Sequence, residues 1–311
     1  MAFSYRGVVR VAMGVAFFAL GLGTGKTRAD VPNRTVQPAQ TFNVGTLKVE
    51  RFGQSGRPII FIPALYCGSW QWNGQVPGLV KSHAIYIVTL PGFDGRPGIQ
   101  GDRLTDRAVS DIDHLIKAQH LRRPIIVGHS LGGTLAVLTG ERYSNELGGV
   151  IAVEGGTPVA PTAAERSSTV EDIAKPFVGI SQSAFPEALR TNQLQYVMRS
   201  KTDVEKVERL GGRSDPAAVV AWLRDALTLD LTPQLSQIHV PFVEIVPFDR
   251  TIDPFNGYKT FDRKRGAYTR WVAHAPNGKV IMIDNARHFV MFDQPATFNR
   301  ALFSEINFLS S

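Results

Sequence analysis

Gly128-His129-Ser130-Leu131-Gly132 constrains this chain more than any other stretch, because it joins a strand-like run to a helix-like run with no spare residues. Before it, Pro124-Ile125-Ile126-Val127 is short and β-branched, the pattern of a buried strand. After it, Gly133-Thr134-Leu135-Ala136-Val137-Leu138-Thr139 reads as the start of a buried helix. A serine on so sharp a bend is held in a strained backbone conformation. The positions two before and two after it must be small, since strand and helix crowd there, and both are glycine. The bend lifts the Ser130 hydroxyl out of the sheet. It also leaves the first helix amides, with the helix dipole behind them, facing any negative oxygen at that point. Such an arrangement suits acyl transfer. A glycine-rich turn with Ser130 as a simple cap would use the same residues, so the decision rests on whether the chain also supplies a base and an acid.

A serine nucleophile needs a base, and the chain has seven histidines, of which His239, His274 and His288 come after Ser130. His274 precedes the apolar run Lys279-Val280-Ile281-Met282-Ile283, at the wrong end of that strand. His288 lies just past the run, at the carboxyl end where ligands gather in open α/β sheets; it is the expected base. His129, beside the nucleophile, is expected to point into the packing beneath the bend. His114 and His120 do not share a helical face.

The acid should fix the imidazole tautomer and stabilise the imidazolium. Pro241-Phe242-Val243-Glu244-Ile245-Val246 reads as a strand, and Asp249 and Asp253 lie in the loop after it. Asp249, nearer the strand end, is the preferred acid and Asp253 the alternative, although Asp253 before Pro254 also fits a turn. Glu154, after the preceding strand, reads as a helix or turn carboxylate.

These residues resemble the α/β-hydrolase superfamily, and more closely its secreted or periplasmic bacterial branch. The resemblance runs from about Thr46 to the C-terminus. It rests on Phe61-Ile62-Pro63-Ala64-Leu65, Trp70, Thr89-Leu90-Pro91-Gly92-Phe93, Val127 to Gly133, and Asn285-Ala286-Arg287-His288-Phe289-Val290-Met291, in that order. It implies the chain order serine, acid, histidine, which removes His239. It also implies an oxyanion hole made by the backbone amides of Leu131 and Leu65. Pro63-Ala64 stands where His-Gly is typical, and Arg287 where glycine often precedes the histidine. Tyr66, Trp70, Phe248, Phe289 and Met291 flank these loops and are candidates for an apolar substrate pocket. A serine at position 130 argues against dehalogenase and epoxide hydrolase chemistry, which needs a carboxylate nucleophile.

Apolar runs alternate with helical patterns, the signature of an α/β fold: a mostly parallel sheet with helices on both faces. Strands are expected near residues 59–62, 84–89, 125–127, 149–153, 242–246 and 280–283, with an earlier hairpin over 45–52. A helix is expected over 106–119, where Ala108, Val109, Ile112, Leu115 and Ile116 share a face. Another starts at Pro295. The core is assigned to 46–154 and 238–311. Residues 155–237 break the alternation and are expected to form a helical cap over the site. Its apolar residues Phe177, Phe185, Leu189, Tyr196, Val197, Met198, Trp222 and Leu223 either pack internally or roof a pocket.

Residues 1–29 read as a signal peptide: Arg6 and Arg10 flank the start of a short apolar stretch, Val11 to Leu20, and Thr27-Arg28-Ala29 offers a cleavage site. The stretch is short for a membrane span, and an uncleaved anchor is the alternative. Residues 30–45 look like a linker. Cleavage after Ala29 would remove four basic and no acidic residues, taking the formal charge from +7 to +3. The basic balance is thus partly an export signal. Arg263-Lys264-Arg265 reads as a solvated helix face, not a nucleic-acid patch. A lone Cys67 excludes an internal disulfide. No zinc spacing or dinucleotide fingerprint occurs, so no cofactor is implied. The expectation is an exported, periplasmic or secreted serine hydrolase acting on a small-molecule acyl substrate, with no stable membrane span once cleaved. Two alternatives stand beside it: cofactor-free perhydrolase or haloperoxidase chemistry on the same triad, and a non-catalytic binding protein on the same fold.

Overall fold

The computed structural model describes residues 36–311; the expected signal peptide and residues 30–35 of the expected linker lie outside them. One eight-stranded sheet runs through the molecule in the order β1-β2-β4-β3-β5-β6-β7-β8. Its strands are β1 (Gln40–Val44), β2 (Leu47–Phe52), β3 (Ile59–Ile62), β4 (Ile85–Thr89), β5 (Ile125–His129), β6 (Gly149–Val153), β7 (Phe242–Phe248) and β8 (Gly278–Asp284). The pairs β1–β2 and β2–β4 are antiparallel, and from β4 to β8 every pair is parallel. The fold is therefore the expected α/β-hydrolase sheet. The six later strands fall where the apolar runs placed them. Strands buried on both faces read as continuous apolar runs, and β3 to β7 are buried throughout.

The first hairpin starts earlier than expected. Gln40 pairs with Arg51, so β1 occupies residues assigned to the linker. As an edge strand with one face in water, β1 carries polar residues, and those concealed it.

Helix α1 (Leu104–Ala118) buries Ala108, Val109, Ile112, Leu115 and Ile116 along one face, as the spacing requires. Helix α2 (Leu131–Tyr143) follows β5 directly and is buried along its first ten residues. Between β6 and β7 the chain forms a helical region: α3 (Ala163–Ala174), α4 (Phe185–Leu189), a π-helical turn (Arg190–Leu194), α5 (Lys201–Gly211) and α6 (Pro216–Leu227). Core loops tie this region down. Trp222 Nε1 donates to the Pro91 carbonyl at 3.1 Å, and the Ser214 hydroxyl donates to the Tyr66 carbonyl at 3.0 Å. Helix α7 (Phe261–Val272) packs on β7 and β8, and α8 (Pro295–Ser310) closes the fold. Among the described residues, no helix is long and apolar enough to cross a membrane.

Candidate active site

The bend between β5 and α2 has the geometry its glycines imply. Ser130 sits at φ 55° and ψ −116°. A side chain at Gly128 would collide with the Gly132 carbonyl, and one at Gly132 with the Ile62 carbonyl. Only bare backbones fit between strand, helix and the neighbouring loop, so the elbow and the loop after β3 are locked together. Strain recurs at the other strand ends facing the site. Tyr66 after β3, Glu154 after β6 and Asn285 after β8 have φ of 52°, 43° and 58°. Positive φ is costly for such residues, and it collects where surrounding packing imposes a working geometry.

His288 and Ser130 both line the two cavities that meet beneath the helical region. The carboxylate that reaches His288 is Glu154: its Oε2 lies 2.7 Å from His288 Nδ1. Neither aspartate nominated from the sequence occupies that place. Asp249, 1% exposed, pairs with Arg199 at 3.1 Å, lies 3.5 Å from the Arg287 guanidinium, and accepts from the Thr251 N–H at 2.7 Å and from the Thr251 hydroxyl. Asp253 accepts from the Asp249 N–H and from Lys264, each at 2.7 Å. The physical reason is competition: each aspartate is already engaged by cations and amides of its own surroundings. Glu154, one residue past the end of β6, is thrust toward the site by its left-handed backbone.

Glu154 is held by more than the histidine. Its Oε1 accepts from Lys264 Nζ at 2.6 Å. Burial pushes the carboxyl up, but the Lys264 ammonium and the His288 hydrogen bond outweigh it and hold Glu154 at about 2. An ionised carboxylate only accepts hydrogen bonds, so His288 carries its proton on Nδ1, which leaves Nε2 as an acceptor. Lys264 corrects a second expectation. It is buried, not solvated, while its neighbours Arg263 and Arg265 are exposed. Along α7 it shares a face with the buried Tyr268 and Trp271, at spacings of four and seven. That stripe was visible in the sequence, and a charge inside it was the missed sign. Below Glu154, the fully buried Glu244 on β7 accepts from the Gly155 N–H at 3.0 Å. Burial drives its carboxyl well above the usual range, which the Gly155 amide only partly opposes.

His129 is structural, as expected, and its contacts define a relay. The Ala64 N–H donates to Gln71 Oε1 at 2.8 Å, which fixes the orientation of the Gln71 amide. Gln71 Nε2 therefore donates to His129 Nδ1 at 2.8 Å, and His129 Nε2 donates to the His288 carbonyl at 2.9 Å. Burial and the nearby His288 push His129 well below the ordinary histidine range, so it stays neutral. Three loops are thereby held in register: the one after β3, the elbow, and the one carrying His288. Gln71 was not singled out from the sequence, because nothing local marks a glutamine that satisfies a histidine 58 positions away.

The turn Ala64 to Cys67 closes through the Cys67 N–H, which donates to the Ala64 carbonyl at 3.1 Å, and leaves the Leu65 amide unused by the turn. Leu131 is the first residue of α2, so its N–H has no intrahelical acceptor. Leu65 and Leu131 line the same cavity as Ser130. That cavity is apolar, with Tyr66, Phe177, Val197, Trp222, Leu223 and Phe289 in its wall. The second cavity, which also includes His288, is richer in polar and charged groups and reaches Glu154, Asp249, Asp253, Lys264, Arg287 and Tyr196. Of the expected pocket residues, Tyr66 and Phe289 line the apolar cavity. Trp70, Phe248 and Met291 line neither; all three are buried, Phe248 in an edge contact with Phe261 at 5.6 Å. Residues that flank a loop in sequence also supply its foundations, and these three face inward. Phe185, Leu189 and Met198 likewise pack internally.

Residues 59–301 match the alpha/beta hydrolase family, and the chain belongs to it. A 2-succinyl-6-hydroxy-2,4-cyclohexadiene-1-carboxylate synthase from Pectobacterium atrosepticum is 24% identical over 195 residues, covering 60% of this chain and 74% of that protein. Among solved structures, a thermophilic esterase from Thermogutta terrifontis superposes with a TM-score of 0.72 at 19% identity, covering 88% of this chain and 100% of that one. A bromoperoxidase from Bacillus anthracis gives 0.69 at 18% identity, with 84% and 95% covered.

Proposed function

We propose that this protein is a serine hydrolase that cleaves a small carboxylic ester, with Ser130 as nucleophile, His288 as base and Glu154 as the acid. The observation that carries this reading is the pairing of His288 Nδ1 with Glu154 beside a strained serine that faces the same cavities. The Ser130 hydroxyl oxygen attacks the carbonyl carbon while His288 Nε2 takes its proton. Negative charge on the carbonyl oxygen meets the Leu65 and Leu131 amides, each worth about 3–4 kcal/mol of barrier. The bond from carbon to the alcohol oxygen then breaks, and that oxygen receives the proton from His288. Water, deprotonated by His288, attacks the acyl carbon; the bond to Ser130 Oγ breaks, Oγ takes the proton back from His288, and the acid is released.

The two cavities suggest a division of the substrate. The apolar one, on the side of the oxyanion amides, takes a hydrocarbon acyl group. The more polar one, beside His288 and Arg287, takes the alcohol portion. We also propose that residues 1–29 direct export to the periplasm or medium, which N-terminal sequencing of the secreted or periplasmic protein tests. For the activity, the experiment is labelling with a fluorophosphonate, then assay with p-nitrophenyl esters of graded acyl length. Ser130 should be labelled, and Ser130→Ala should neither label nor hydrolyse. Labelling at another residue, or an active alanine variant, contradicts the reading. Turnover that needs peroxide in place of water would instead indicate perhydrolase or haloperoxidase chemistry.

A further inference from the structure

We infer that Asp253 and Lys264 are a matched pair of positioning residues that sets the proton affinity of His288 through Glu154. His288 enters as the base proposed above, but the readout is a property of the imidazole itself and needs no substrate.

The geometry is a row of charges. Lys264 Nζ lies 2.6 Å from Glu154 Oε1 and 2.7 Å from Asp253 Oδ1, and Glu154 Oε2 lies 2.7 Å from His288 Nδ1. The side chains of Lys264 and Asp253 are 4% and 5% exposed, so water screens neither. Lys264 alone would neutralise Glu154, and a neutral pair gives an imidazolium little to bind. With Asp253 present, the group carries one net negative charge while His288 is neutral. It reaches zero when His288 takes the serine proton. The buried ammonium thus anchors and orients the acid, and Asp253 restores the charge that Lys264 would cancel. Burial of Asp253 raises its carboxyl, against the pull of Lys264.

The other titratable groups around this row do not replace that balance. His129, whose ring centre is 4.6 Å from that of His288, stays neutral. Glu244 is pushed toward its neutral acid by burial. Tyr258 stacks by Lys264 at 5.7 Å, and burial drives Tyr268 well above its ordinary range. Asp249 and Asp293 together face Arg199 and Arg287, two carboxylates against two guanidiniums. Among the described residues, the ion pairs of this row are Lys264 with Glu154 and Lys264 with Asp253.

The test tracks His288 by NMR in the full-length protein with ¹³C-labelled histidine, the signal assigned with His288→Gln. Its titration midpoint is read in the wild type, Asp253→Asn, and Asp253→Asn combined with Lys264→Met. Removing the charge of Asp253 should lower the midpoint by about 1 pH unit, the usual effect of one charge at this range. Adding Lys264→Met should bring it back to within about 0.3 unit of wild type, since a single negative charge remains again. A purely structural role would not produce that recovery. An unmoved midpoint in Asp253→Asn, or no recovery in the double variant, overturns the inference. If Asp253→Asn fails to fold, the double variant still decides, because a midpoint displaced by a full unit there is incompatible with charge matching. Midpoints that move as stated in a protein with no esterase activity would leave this inference standing and remove the proposed function instead.

Discussion

Two adjacent strand ends carry carboxylates toward the same histidine, and only one delivers. The loop after β7 holds Asp249 and Asp253; the turn after β6 holds Glu154. Position along the chain favours the first loop, and both aspartates are more deeply buried than Glu154. Yet Glu154 takes His288. The difference lies in prior engagements. Asp249 answers to two arginines and Thr251, and Asp253 to Lys264 and a backbone amide. Glu154 has one oxygen on Lys264 and the other left for the imidazole. A strand end nominates a candidate, and the local supply of counter-charges selects among candidates.

Substitutions can break or sharpen that contrast. The largest effect is expected at the proposed nucleophile: Ser130→Ala should lower kcat/KM for a p-nitrophenyl ester by about 10⁵-fold or more, with an unchanged thermal midpoint. Next comes the β6 side. Glu154→Gln keeps the shape but removes the charge and the tautomer control, and should cost on the order of 10³–10⁴ in kcat. Gln71→Met breaks the relay from Ala64 to His129 and lets the base loop drift; a loss on the order of tenfold in kcat/KM is expected, with about 1–3 kcal/mol of stability measured by urea unfolding. The smallest kinetic effect belongs to the β7 side. Asp249→Asn should leave kcat within about threefold of wild type while losing roughly 1–2 kcal/mol of stability, a figure discounted because Arg199 is partly exposed. A thousandfold kinetic loss there would reverse the comparison.

The relay also fixes a pH dependence. His129 is held below its ordinary pKa in the fold, chiefly by burial, so the unfolded chain takes the proton first. Its contribution to stability is complete above about pH 6.5 and declines as the pH falls below that value, by up to about 1.4 kcal/mol per unit. Urea midpoints that fail to drop between pH 7.5 and 5.5 would contradict this burial.

Much of this was legible in the chain. Strands β3 to β7 announce themselves because a doubly covered parallel strand must be continuously apolar. The serine elbow is legible because backbone crowding demands both glycines, and His288 because it sits just past a strand. Glu154 was not, since the same residue type after a strand serves equally as a helix or turn carboxylate. Its selection depends on Lys264, which is 110 positions away. Lys264 was hidden between two arginines that do face water. Edge strand β1 was hidden by its own polarity.

The most direct test of the central claim is the proton on His288 Nδ1. In low-temperature ¹H NMR spectra, a hydrogen bond to a buried carboxylate should give a far-downfield imidazole resonance, assigned by its loss in His288→Gln. We expect it in the wild type and in Asp249→Asn, and expect it to be absent from Glu154→Gln. A resonance that survives Glu154→Gln but disappears in Asp249→Asn would show that the β7 loop, not the β6 turn, supplies the acid.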